Sequence, residues 1–437
     1  MTFLRRAPGF SLPIVLLLSG VALIPGAFAQ EPATFDLFAA ERPNRAGLPT
    51  DASALGLLPG VVGAIDVFSI TVDAGSRLRS GGPDSQRLRI SLPGGSDVSC
   101  EVTRGTPING VEVIEGTVTE SPGDRCALFV KDGAVTGDIA VGSERYRVVP
   151  LSGNAHAVVE VRTSGMSEGG NDAPTPPNMP RRSERSLRTE PLCDVAGAGN
   201  RGAIDILVLY TPLAAARQDI DVLVAEAMSQ LNQAARMHPG DRFGVAFRLA
   251  GMEEVDYREG ENLGVDLDRL TGLEPGFLTE VPALRDKYRA DLVHMIVEGQ
   301  ADDGTCGIGW MVEPDAATTA EAGFSISDHR CTAANLSFAH EIGHNLGMNH
   351  DRYVVEESDP DAINFGFVSL EDGRRTLMAY GNQCYDKGVD CPRVVTFSTP
   401  DPVLGGDRRW GVALDGPNPA YNREILCRYA PEVTNYR

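Results

Sequence analysis

His340 and His344 stand four residues apart in a run of good helix formers over 333–346, so both imidazoles leave the same helix face about one turn apart. Two histidines at that spacing form a bidentate clamp for a metal ion. His350 supplies a third nitrogen if the chain turns back sharply after His344. Gly347 is placed for that turn, because glycine enters the left-handed region beyond a helix end without steric cost. Three neutral imidazoles leave one position of a tetrahedral zinc ion open, and water held there approaches a pKa of about 7. Glu341, one residue from the first ligand, cannot reach the same ion in the same geometry. Its carboxylate is placed instead to take a proton from water attacking a peptide carbonyl and to pass it to the leaving amine. A bare His-Glu-x-x-His arises by chance on ordinary surface helices; the extension through Gly347 and His350 is far more selective.

The elements around this segment must hold it rigidly. Leu336, Ala339, Ile342 and Leu346 can pack against a domain while the polar face looks into a cleft. Upstream, from Gly202, strand and helix patterns alternate. A buried strand is expected over 203–210, an amphipathic helix carrying Leu213, Ile220, Val224, Ala227, Met228, Leu231 and Ala235, then strands over 243–249 and 291–297. This is an α/β sheet domain feeding into the histidine segment. His294 lies inside an apolar strand and reads as packed rather than ligating.

The N-terminal part is built differently. Arg5 and Arg6 precede an apolar run over 12–24 that closes on Ala27-Phe28-Ala29, the layout of a secretory signal over 1–29. Residues 30–162 form a β-rich unit of short alternating runs, with the best hairpin signal at Asp132-Gly133. Its one histidine, His156, has no partner for chemistry. Over 163–190 periodicity gives way to Ser, Gly, Pro and Arg, a flexible linker that reads as a processing site at its arginines or as an uncut spacer. The domain carrying the histidines then runs over 191–437. Export lets eight cysteines pair, and proximity suggests Cys100 with Cys126, Cys306 with Cys331, Cys384 with Cys391 and Cys193 with Cys427. A net charge of -21 excludes nucleic acid and anionic membrane as partners, since both require a basic patch. The many carboxylates leave room for calcium, but no loop spacing specifies a site.

The eleven-residue segment resembles the metzincins, whose pattern continues into a methionine turn beneath the metal. Thr376-Leu377-Met378-Ala379-Tyr380-Gly381 is the matching turn, and the resemblance gives Met378 the hydrophobic floor under the histidines. Asp351 is similar to the aspartate by which the adamalysin (reprolysin) branch ties the zinc helix to that turn. Tyr380 departs from the branch and looks like the tyrosine that stabilises an oxyanion in other metzincins; packing is its other reading. With Val395-Thr396-Phe397-Ser398-Thr399-Pro400, the chain looks most like bacterial reprolysin-like secreted peptidases, and within them the peptidyl-Asp metalloendopeptidases. The resemblance implies an α/β (α+β) metzincin-like catalytic domain, with a mixed twisted sheet and a zinc-binding helix, behind a β-rich propeptide-like domain that inhibits it. It also implies an edge strand at 306–312 that holds protein or peptide substrates. Arg374, Arg375 and Arg393 are then candidates for choosing an acidic residue after the scissile bond, or are surface arginines. Cys193 either pairs with Cys427 or offers a thiolate to the open zinc position in the latent protein. The rival reading is a zinc-stabilised adhesion or binding protein; only three ligands are apparent, whereas structural sites usually carry four.

Overall fold

A computed structural model of the chain describes residues 34–41, 43, 48–71, 78, 85–162, 172–177, 202–236, 245–299, 304–312, 320–355, 361–402 and 408–437. The secretory signal, Cys193 and the arginines at 181, 182 and 185 lie outside the described residues. No described helix is long and apolar enough to cross a membrane.

The N-terminal runs form β1 (Thr34–Asp36), β2 (Val62–Ser69), β3 (Ser85–Ser91), β4 (Asp97–Arg104), β5 (Glu112–Val118), β6 (Ser121–Lys131), β7 (Ala134–Val141), β8 (Glu144–Pro150) and β9 (Ala155–Val161). They make one sheet in the order β1-β3-β4-β5-β6-β7-β8-β9-β2. From β3 to β9 neighbours in sequence are neighbours in space because the turns are short, whereas β1 pairs with β3 and β2 with β9. At the β6–β7 turn, Asp132 and Gly133 take φ of 50° and 85°, the pair of positive angles a two-residue hairpin needs. Cys100 and Cys126 are joined across β4 and β6. His156 is buried, accepting from Val135 N (3.2 Å) with its other nitrogen 3.0 Å from Asn154 O, so it is a satisfied core residue.

The second sheet runs β11-β10-β12-β14-β13, comprising β10 (Ala203–Tyr210), β11 (Ala246–Glu254), β12 (Leu292–Val297), β13 (Gly307–Gly309) and β14 (Phe324–Asp328). The first four pair in parallel and β13 is antiparallel to β14 at the edge. β12 is buried throughout, as expected of a strand covered on both faces. His294 is fully buried there, its ring nitrogens each 2.8 Å from Ser325 Oγ and Ser327 Oγ; it packs, and burial pushes it down to about 3.

Helix α1 (Ile220–Ala235) crosses this sheet. The apolar face expected from the sequence is shorter than its pattern suggested. Asp219 accepts from Asp221 N and Val222 N and starts the helix there, leaving Leu213 in a separate short turn with 47% of its surface exposed. The other side of α1 carries Glu226, Ser229 and Gln230, all buried. They are buried because the N-terminal sheet covers them: Arg147 grips Glu226 with two bonds of 2.6 and 2.7 Å, and Arg125 donates to Ser229 Oγ (2.9 Å). Further disulfides join Cys306 to Cys331 and Cys384 to Cys391. Cys427 is also disulfide-bonded, with its expected partner Cys193 outside the described residues.

Candidate metal centre

Helix α2 (Ser337–Asn345) carries His340, Glu341 and His344. It begins later than its pattern suggested, because Leu336 takes a left-handed φ of 62° and breaks the run from the preceding short helix. Asn345 anchors its end, donating through Nδ2 to Trp310 O, Ala322 O and Phe324 O at 2.9 to 3.1 Å. One amide group thus fixes the helix against β14 and the chain leaving β13.

Gly347 then turns the chain at φ 84°. Gly347 N donates to His344 O and Met348 N to Gly343 O, each at 3.0 Å, which satisfies the last carbonyls of the helix while reversing its direction. The reversal brings His350 back over α2. Its Nε2 lies 3.3 Å from His340 Nε2, which is 3.1 Å from His344 Nε2. The second nitrogens of the two helix histidines face backbone carbonyls: His340 Nδ1 is 3.0 Å from Leu377 O and His344 Nδ1 is 2.9 Å from Met348 O. A carbonyl can only accept, so Nδ1 carries the proton and Nε2 presents a lone pair. Burial holds both imidazoles neutral, His340 down to about 4 and His344 well below its ordinary value, with Arg393 and the other histidines adding to the effect.

Lone pairs converging at such distances repel one another unless a cation lies among them. Ligands of a tetrahedral ion at about 2.0–2.1 Å stand about 3.3 Å apart, so the observed spacing fits zinc. A fourth group completes the cluster. The Asp172 carboxylate lies 3.0 Å from His350 Nε2, 3.5 Å from His340 Nε2 and 4.0 Å from His344 Nε2, and the four residues are mutually close enough to share one ion. Asp172 Oδ1 is buried with no hydrogen-bond donor. Among the described residues, one more side chain than the three histidines expected from the sequence could therefore share the ion. No spacing in the sequence relates Asp172 to the histidines, because it comes from the proline-rich stretch ahead of the domain. Its one sequence signal is an acidic side chain in a segment that proline keeps extended.

Other expected residues gather around this centre. Glu341 is buried, its Oε2 without a partner; burial and the Asp172 charge push its carboxyl well up, against the opposing pull of Arg393. Met378 is buried against α2, where a Cβ added to Gly343 would strike its sulfur. Asp351 Oδ2 accepts from Tyr380 N (2.8 Å), joining the third histidine to the methionine turn. The Tyr380 ring lies 4.1 Å from that of His350, and its hydroxyl donates to Asp172 Oδ2.

The three arginines part company. Arg374 Nη1 donates to Asp124 Oδ1 of β6 (2.7 Å), and Arg375 donates to Cys391 O (2.9 Å) and to Ala379 O. Both are spent on structure. Arg393 donates to Asn335 O (2.9 Å) and acts electrostatically on both His340 and Glu341.

Comparison with known proteins agrees with this chemistry. Residues 224–351 match the metallo-peptidase family M12B, reprolysin-like, a span that runs from α1 through Asp351. A peptidyl-Asp metalloendopeptidase of Stenotrophomonas maltophilia (strain K279a) is 26% identical over 79% of this chain and 78% of its own. One of Xanthomonas campestris pv. campestris is 25% identical over 77% and 73%. Among solved structures, metalloproteinase-II from Bacteroides fragilis aligns at TM-score 0.40 and 11% identity, over 64% of this chain and 86% of that one. With a reprolysin-like match over the histidine segment and relatives of one name along most of its length, the chain is similar to the reprolysin-like metallopeptidases and is a hydrolase of peptide bonds.

Proposed function

We propose that the chain is a secreted zinc endopeptidase in which His340, His344 and His350 hold the metal and Glu341 is the general base. The observation that carries this reading is the convergence of three Nε2 atoms, two of them fixed by carbonyls on their opposite nitrogens, beside an unpartnered buried carboxylate. When bound, the metal polarises the peptide carbonyl and makes water acidic enough to attack at neutral pH. Glu341 takes the water proton as oxygen joins the carbonyl carbon, and returns it to the nitrogen as the C–N bond breaks. Tyr380 donates its O–H to the carbonyl oxygen as that atom gains charge. Asp351 positions Tyr380 through its backbone N–H, and Met378 supports α2 beneath the histidines.

Substrate is held along the outer edge of β13, which offers backbone groups to any extended peptide once the stretch over 172–177 has left it. Selection falls to the side chain after the scissile bond. The relatives are named for an aspartyl bond, and Arg393 is the arginine whose charge reaches the centre, so an acidic side chain is expected there. The β-rich N-terminal unit is the propeptide and inhibitor. The test is casein digestion by the processed protein against its Glu341→Ala variant: equal rates would exclude this mechanism.

A further inference from the structure

The stretch over 172–177 lies along β13 and the chain that leaves it. Gly309 N donates to Asp172 O (2.9 Å) and Met311 N to Pro174 O (2.8 Å). The partners advance by two residues on both chains, so the stretch extends the sheet as an added strand running parallel to β13. It occupies the backbone groups that an extended substrate would need. In the same stroke it delivers the Asp172 side chain, 11% exposed, to the open side of the histidine cluster.

Resting on the metal-centre reading above, we propose that Asp172 is the fourth metal ligand of the unprocessed chain and the residue that keeps it latent. Its carboxylate replaces the two things catalysis needs at once. One oxygen lies nearest His350 and fills the position that water must take, and the other accepts the Tyr380 hydroxyl that otherwise serves the developing oxyanion. A site with four protein ligands is closed, and a site with three plus water is reactive, so one tethered carboxylate separates the two states. The stretch belongs to the N-terminal part of the chain, which grips α1 through the Arg147–Glu226 pair. Cleavage between Pro177 and β10 would leave Asp172 attached only to that sheet, and its departure opens the site. An oxygen ligand thus takes the place that a Cys193 thiolate would otherwise fill.

The test uses the full chain carrying Glu341→Ala, which cannot process itself, loaded with cobalt(II). Its visible absorption and its rate of metal loss to a chelator are compared with those of Glu341→Ala/Asp172→Ala and Glu341→Ala/Asp172→Asn, the second variant keeping the side-chain shape. Both are expected to change the absorption as water replaces a carboxylate. Metal should leave faster by at least the roughly 10- to 100-fold that loss of an outer-shell partner causes. In parallel, full chain with Asp172→Asn alone, whose stretch is still paired with β13 but no longer tied to the metal, should begin to hydrolyse a quenched peptide sooner than the parent chain, and an unchanged lag would overturn the latency role. Unchanged absorption and metal-loss rates in both variants would overturn the assignment. Failure of the parent chain to bind cobalt at all would instead overturn the metal-centre reading on which it rests.

Discussion

At the scale of single residues, the centre depends on a few groups whose surroundings fix their protonation and direction. Glu341→Gln removes the proposed base while leaving three imidazoles in place, so kcat should fall by roughly 10²- to 10⁴-fold with metal content per chain unchanged, as read by elemental analysis. A variant that keeps wild-type kcat would remove Glu341 from the mechanism. Arg393 is the residue to test for selectivity. A charged hydrogen bond contributes about 1.5–3 kcal/mol, so Arg393→Gln should lower the kcat/KM preference for aspartate over leucine after the scissile bond by about tenfold or more, with little change for leucine peptides. An unaltered ratio would assign the choice to other residues.

At the scale of elements, close approaches replace side-chain identity. A Cβ on Gly307 would stand 2.5 Å from Glu341 Oε1, so a larger residue there leaves β13 beside α2 only if the Glu341 side chain moves. Gly307→Ala should therefore displace Glu341 and reduce kcat while leaving metal affinity intact, a split that equilibrium dialysis and steady-state kinetics resolve. β12 carries the second element-scale consequence. Burial holds His294 at about 3 in the folded chain, whereas an unfolded histidine titrates near 6.5. Between those values the unfolded state binds the extra proton, so stability is undiminished above about pH 6.5 and falls by about 1.4 kcal/mol for each pH unit below it. Urea titrations of the parent and of His294→Gln between pH 7 and 5 should show a shallower loss in the variant; equal slopes would remove His294 as the source.

At the scale of the whole molecule, the N-terminal sheet supplies the lid of α1 and, a few residues further on, the stretch that enters the cleft. The polar face of α1 is buried because Arg147 and Arg125 meet Glu226 and Ser229, and Lys131 adds a partly exposed contact to Asp219 and Asp221 at the start of the helix. Removing one member of a buried pair leaves the other charge without a partner, at a cost of about 3–5 kcal/mol. Arg147→Ala should lower the melting temperature of the full chain clearly, and Arg147→Met/Glu226→Leu should recover most of the loss by replacing the pair with apolar packing. Destabilisation by the double variant equal to that of the single one would show that packing rather than charge holds the two sheets.

What the sequence alone determined is local. The helical spacing of His340 and His344, the left-handed turn at Gly347, the hairpin at Asp132-Gly133 and the buried strand over 203–210 each follow from rules that act within about ten residues. Such signals survive without knowledge of the fold, because backbone geometry and capping are decided between near neighbours. The tertiary structure alone decided which distant groups meet. Asp172 reaches the histidines across more than 160 positions of sequence, the polar face of α1 is covered by strands that precede it, and three neighbouring arginines are divided between structural hydrogen bonds and the centre. Each of these depends on where a sheet edge or a helix face lies in space, which no spacing along the chain encodes. The histidines proposed as ligands were thus legible one turn at a time, whereas Asp172, proposed to close the site, came into view only when the second sheet and its edge were in place.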